Sequence, residues 1–288
     1  MTGSSTGRVA PARLAAALAG NYLYRAGAAA LLALPVVGVL GGSGIRSFAR
    51  GDARLFEPGG LYLLEVAVRS RELLAESLAP TALAVIALGA VGLVPEWWLV
   101  SALGSAAPAP RSLPRLFGLA LATWGARLLL GLLTLGVALT ARSFFASARD
   151  ERLPLVAIAS VAGLGLVLQA GLSLWRDLAE IELIAHGASP REAVLAALAR
   201  ARTSGAGLVA RYAATQVLGL GVLFGAAAAV GALDVARGEG WRGASAVSLH
   251  QLAVLASIAL RAAWLWSARR ALERGPAARA PRQAEAFL

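Results

Sequence analysis

The chain has 288 residues, of which 58% are hydrophobic and 15% charged, with a net charge of +11 and no cysteine. Soluble domains carry roughly half apolar and a quarter charged residues, and here the shift comes from long apolar blocks, which excludes a soluble globular class and points to a membrane protein. Without cysteine there can be no disulfide framework, thiol nucleophile or thiolate metal site. All 27 basic residues are arginine, alongside abundant alanine, leucine and glycine, the pattern of a GC-rich genome. The arginines are scattered over the loops without aromatic interleaving, so nucleic acid is not an expected partner, whereas membrane lipids are.

Residues 1–25 read as a disordered tail followed by an interfacial helix, with Leu14, Leu18 and Tyr22 on every fourth place. A cleavable signal peptide is not expected, because the first strongly apolar run starts late and is too long. The first span is predicted at about 26–45, with Pro35 inside it and a Gly38/Gly42 spacing that would let a helix approach closely. A loop with Pro58-Gly59-Gly60 leads to a helix from Leu61 whose Glu65, Arg69, Glu72 and Glu76 share one solvated face.

The second span is predicted at about 78–95 and ends at the interfacial Glu96-Trp97-Trp98, before an Ala/Pro-rich connection over 99–110. The third, at about 116–141, contains Arg127. A guanidinium deep in hydrocarbon costs at least about 2.5–3.5 kcal/mol, so either it lines an anion or substrate site or the span starts near Leu128 and Arg127 snorkels to the headgroups. The fourth span is predicted at 153–174, the fifth at 207–233 with a second GxxxG pair at Gly221 and Gly225, and the sixth at 244–268 with Arg261 near its end and Trp264 and Trp266 as anchors. A basic flexible tail occupies 269–288. The fold class is therefore all-α: a six-helix transmembrane bundle, with short amphipathic helices in its loops.

Between the fourth and fifth spans lies a charged helical insert, 175–206. Leu174, Leu178, Ile181 and Ala185 form the apolar face of its first helix, and Val194, Ala197, Leu198 and Ala201 that of its second. Gly187 suits the left-handed residue that ends a helix. Ser189, Pro190 and Glu192 spell an N-cap, a first-turn proline and a capping box. His186, four residues after Glu182, reads as a histidine at a helix C-terminus. Six spans put both termini on one side, and that side, which includes the insert, carries 15 arginines against 10 opposite. The positive-inside rule then places both termini in the cytoplasm of a bacterial inner membrane.

Enzymatic signatures such as HExxH, GxSxG or a P-loop are absent, and neither catalytic residues, a metal nor a cofactor are expected. No Asp or Glu falls centrally in a predicted span, so a proton-coupled relay is missing. The candidate intramembrane polar residues are Arg127, Gln169, Gln216 and His250, with Gln251 beside them, and amides of this kind more often join helices than coordinate ions. In the insert, Asp177, Glu180, Gly187, Ser189 and Glu192 form a candidate docking surface for a protein partner.

The helix–Gly-Ala-Ser–helix pattern at Glu180–Ala201 resembles the cytoplasmic loop of binding-protein-dependent ABC permeases, although Glu180 precedes Gly187 by seven places rather than six and no Leu-Pro follows. That resemblance implies a permease subunit that receives an ATPase, with Arg127 in an anion or substrate pathway. Asp177, Glu180, Ser189, Glu192 and Ala193 are similar to the insert of bacterial six-span membrane proteins akin to the glycerophosphodiester phosphodiesterase membrane domain. The catalytic barrel of that enzyme has no counterpart here, so the likeness implies an architecture and not an activity. The favoured expectation is a membrane-embedded partner or scaffold subunit, docking another component through the insert.

Overall fold

The structure, a computed structural model, describes residues 11–42, 68, 70–104, 112–145, 152–233 and 240–274. Six long α-helices account for nearly all of these: α1 (Pro11–Gly42), α2 (Arg71–Ala102), α3 (Ser112–Phe145), α4 (Arg152–His186), α5 (Pro190–Ala232) and α6 (Gly240–Arg274). Among the described residues, five helices, α2 to α6, are long and apolar enough to cross a membrane. In α3 and α5 not one residue of the most apolar 18-residue stretch is buried. Apolar surface that extensive is incompatible with water and is what a helix facing lipid presents.

Every helix outruns the bilayer. At 1.5 Å per residue, the 35 residues of α4 reach about 52 Å and the 43 of α5 about 64 Å, against a hydrocarbon core of about 30 Å. The surplus explains how the structure differs from the predicted elements. The expected interfacial helix and first span are one uninterrupted helix, α1, in which Pro35 is accommodated. The two short helices expected in the insert are instead the C-terminal part of α4 and the N-terminal part of α5. No Gly or Pro separates Trp175 from His186, and the Leu, Ala and Glu there favour helix, so the chain has no reason to break at the membrane boundary. Likewise α2 continues through Pro95 and Trp98 to Ala102, and α6 through Arg269 to Arg274, inside the stretch expected as a flexible tail. Of the acidic stripe expected in the first loop, Glu72 and Glu76 lie in the first turns of α2, while Glu65, Arg69 and the start at Leu61 lie outside the described residues.

The chain divides into two compact units. One comprises residues 1–105 and 213–264, where α1 pairs with α2. Gly20 and Gly92 make that pairing close: a Cβ on Gly20 would lie 2.6 Å from the Trp98 ring, and one on Gly92 at 2.6 Å from the Tyr24 hydroxyl. The Tyr24 hydroxyl also donates to the Leu88 carbonyl. The other unit comprises residues 106–212 and 265–288, and its closest pairing is α3 with α4, where a Cβ on Gly165 would lie 2.5 Å from Thr134 Cγ2. The predicted GxxxG at Gly221 and Gly225 does not mediate a helix contact among the described residues, since nothing lies within 4 Å of either added Cβ; Gly38 is equally open.

Candidate functional site

The second unit concentrates its burial at one end, in a head made from the first turns of α3 and α5 and the last turns of α4 and α6. Leu116, Leu119 and Ala120 are buried on α3, Leu178, Ile181, Leu183 and Ile184 on α4, Ala193 and Ala197 on α5, and Leu265, Ala268 and Leu272 on α6. Each large side chain removed from water there contributes about 1.5–3 kcal/mol. On α4 the burial is all-round: every residue from Arg176 to Ile184 is buried, so the single apolar face expected for this segment is a fully enclosed helix.

Enclosure takes the charges with it. Arg176, Asp177, Glu180 and Glu182 are all buried, with Glu180 fully inaccessible. Arg176 Nη2 lies 4.0 Å from Glu180 Oε2. Glu182 places one oxygen 2.7 Å from His186 Nδ1 and the other 2.8 Å from Arg200 Nε. The Arg200 contact is a Coulombic pair rather than an aligned hydrogen bond, as that Glu182 oxygen accepts none. Arg200 Nη1 donates to the Leu272 carbonyl at 2.6 Å, so one arginine ties α5 to both α4 and α6. Asp177 and Glu180, expected on a docking surface, therefore face the interior of the head.

The α4–α5 turn is built as its residues dictate. Gly187 adopts φ 66°, the left-handed conformation that costs glycine nothing. The Ser189 backbone N–H donates to Glu192 Oε2 at 2.8 Å, and the Glu192 N–H donates back to Ser189 Oγ at 3.3 Å, closing the capping box. Hydrogen bonding from Ser189, its backbone N–H first and its side chain second, holds the exposed Glu192 carboxyl below the usual glutamate range. Arg115, near the start of α3, donates to the carbonyls of Gly187 and, at 3.3 Å, Ala188, and so fastens the turn from the opposite side. The role of Arg115 had no sequence signal beyond being a loop arginine.

One face of α5 remains on the outside, as do Phe117 and Leu121 of α3. With Ala193 and Ala197 turned inward, Leu195 and Leu198 are 54% and 44% exposed, flanked by the exposed Arg191 and Arg202. These four positions follow the i, i+4, i+7, i+11 spacing of a single helix face. The apolar side predicted for this helix, which paired Leu198 with Ala197, is thus divided between an inner alanine strip and an outer leucine strip.

Arg127 and Gln169 come together between α3 and α4. Arg127 Nη2 donates to Ser173 Oγ at 2.7 Å, and Gln169 Nε2 donates to the Arg127 backbone carbonyl at 3.0 Å. Arg127 stands where the head ends: Leu128, Leu129 and Leu132 beyond it are exposed, and the 18 residues from Leu128 to Phe145 span about 27 Å, one hydrocarbon thickness. Gln216 on α5 and His250 on α6 are exposed and not brought into either group. It is Gln251 that joins helices, accepting a hydrogen bond from the Tyr22 hydroxyl of α1 at 2.9 Å.

The first unit holds a polar group that sequence reading did not assemble. Arg261 of α6 pairs with Glu96 of α2 at 2.8 Å, and Arg25 of α1 donates to Asn21 Oδ1 at 3.1 Å and to Ser257 Oγ at 3.5 Å. Its members are separated by up to 240 positions and repeat no spacing, so only the fold reveals them.

No cluster of three metal-ligating side chains occurs among the described residues. Compared with known proteins, the chain matches no family model, no curated protein and no solved structure.

Proposed function

We propose that this chain is a six-span protein of a bacterial inner membrane, with both termini in the cytoplasm, and that it acts as a membrane-embedded partner or scaffold that docks another protein on its α4–α5 head. The observation that carries this reading is the outer face of α5. Leu195 lies twelve residues before the start of the fifth span as read from the sequence at about 207, or about 18 Å beyond it along the helix. Lipid chains do not reach that far, so the two exposed leucines are open to a protein partner. Arg191 and Arg202 at either end favour a partner with an apolar centre and an acidic rim.

Rigidity supports the same reading. A docking surface gains affinity when it is ordered before its partner arrives. The capping box, the Arg115 contacts to the turn and the Arg200 ties to Glu182 and Leu272 all order this helix beforehand. On this reading the buried Asp177 and Glu180 are scaffold residues, and Arg127 is an anchor at the cytoplasmic boundary, where its guanidinium reaches Ser173 and the headgroups. Deletion of the whole insert would remove part of the packed head, so surface substitution is the cleaner test. Leu195→Glu/Leu198→Glu should leave expression and thermal stability in detergent unchanged while abolishing recovery of the cellular partner. Undiminished recovery of the same assembly would refute the proposal.

A further inference from the structure

Three charged residues of the first unit lie at one depth. Arg25 is 17 residues from the end of α1 at Gly42, about 26 Å. Glu96 is 20 residues from Glu76 in the first turns of α2, about 30 Å, and Arg261 is 21 from the start of α6 at Gly240, about 32 Å. Arg25 and Arg261 therefore stand about one hydrocarbon thickness from the other end of their helices, and Glu96 the same distance from Glu76, at headgroup level on the same side.

The group is electrostatically unbalanced. Arg261 and Glu96 pair at 2.8 Å and are each about a fifth exposed, which leaves Arg25 as the excess cation. Arg25 is exposed, yet it is not loose: Asn21 Oδ1 and Ser257 Oγ accept from its Nε and Nη1. A guanidinium has five N–H groups, and these two acceptors leave the outer edge of the fork without a protein oxygen among the described residues. Arg25 also feels the Arg261 charge and the Glu96 charge, so an incoming anion meets the field of both arginines.

We propose that Arg25, held by Asn21 and Ser257 and backed by Arg261, binds the phosphate of an anionic phospholipid. A planar fork with its outer edge open suits bidentate phosphate contact. The depth selects a lipid phosphate over a dissolved one, because the acyl chains then run down the exposed apolar surface of α1 at Leu31 and Leu34. This site is separate from the α5 face, and its test does not depend on a protein partner.

The test uses the purified full-length protein in dodecyl maltoside, with its thermal midpoint followed as phosphatidylglycerol, phosphatidylcholine or inorganic phosphate is added. Phosphatidylglycerol should raise the midpoint, and neither of the others should match it at equal concentration. Arg25→Gln should require about fivefold more phosphatidylglycerol for the same rise, whereas Arg13→Gln, an exposed arginine of the same helix, should behave as wild type. An equal rise with phosphatidylcholine would overturn the anion site, and an equal rise with inorganic phosphate would overturn its lipid source. An unchanged titration for Arg25→Gln would overturn the assignment to this residue. If Arg25→Gln does not fold, Ser257→Ala, which removes one of the two acceptors that hold Arg25, takes its place: it should also require more phosphatidylglycerol, and an unchanged titration would overturn the assignment.

Discussion

Glu182 is shared between two helices: its carboxylate lies 2.7 Å from His186 Nδ1 on its own helix and 2.8 Å from Arg200 Nε on the next. Because the carboxylate is buried, removing its cation leaves a charge without water. Arg200→Ala should therefore destabilise the head by about 3 kcal/mol, read as a lowered thermal midpoint and faster proteolysis at the α4–α5 turn. Replacing both partners, as in Glu182→Leu/Arg200→Met, should recover much of that loss. A double variant less stable than either single one would contradict the account.

The close approach of α3 and α4 is set by Gly165, whereas the GxxxG pair on α5 sets none among the described residues. A side chain on Gly165 meets the β-branched Thr134, which has little freedom to move, so Gly165→Val should separate α3 from α4 and cost about 1–3 kcal/mol. Gly221→Ala and Gly225→Ala should be close to neutral, since nothing lies within 4 Å of the added methyl. Thermal midpoints of the three variants in one detergent distinguish these outcomes.

Those two cases show what a sequence can and cannot convey. The helix-terminating glycine and the capping box were readable because their partners lie three residues apart and the chemistry is local. The membrane class was readable from composition alone. The continuous α4 was not, because an amphipathic pattern with Arg176, Asp177 and Glu180 implies a wet face, and only tertiary enclosure by three other helix ends reverses that. The Arg25–Asn21–Ser257 and Arg261–Glu96 contacts were invisible for a different reason: long-range polar pairs leave no periodic trace. GxxxG permits close packing without requiring it, and among the described residues nothing lies within 4 Å of a Cβ at Gly221 or Gly225.

The Arg127 hydrogen bond to Ser173 should contribute modestly. Ser173→Ala should cost about 1 kcal/mol, and Gln169→Leu about 0.6 kcal/mol, as expected of single polar contacts between membrane helices. Arg127→Lys, which keeps a cation able to reach the headgroups, should express and fold as wild type. Loss of folded protein in Arg127→Lys would point to a buried guanidinium site instead of an anchor.

The capping box gives the turn a defined acid response. Hydrogen bonds hold the Glu192 carboxyl below its ordinary range in the folded chain. A depressed carboxyl favours folding above the unfolded value of the group, and that contribution is lost as the pH falls through the lower, folded value. Amide hydrogen exchange of the Ser189 and Ala193 N–H groups should therefore accelerate below the ordinary glutamate range, once intrinsic exchange is corrected. Glu192→Gln should remove the pH dependence. Ser189→Ala, which takes away the cap itself, should cost about 1 kcal/mol at neutral pH.

Photo-crosslinking from single positions on α5 tests the docking face most directly. With a photoreactive residue at Leu195 or Leu198, cells should yield one and the same protein adduct from both positions. The adduct should disappear when Arg191 and Arg202 are both changed to Glu, and it should not form from Leu223, which lies in the apolar part of the same helix. Adducts with lipid alone at Leu195 and Leu198, or the same protein captured equally from Leu223, would contradict a docking surface on the head.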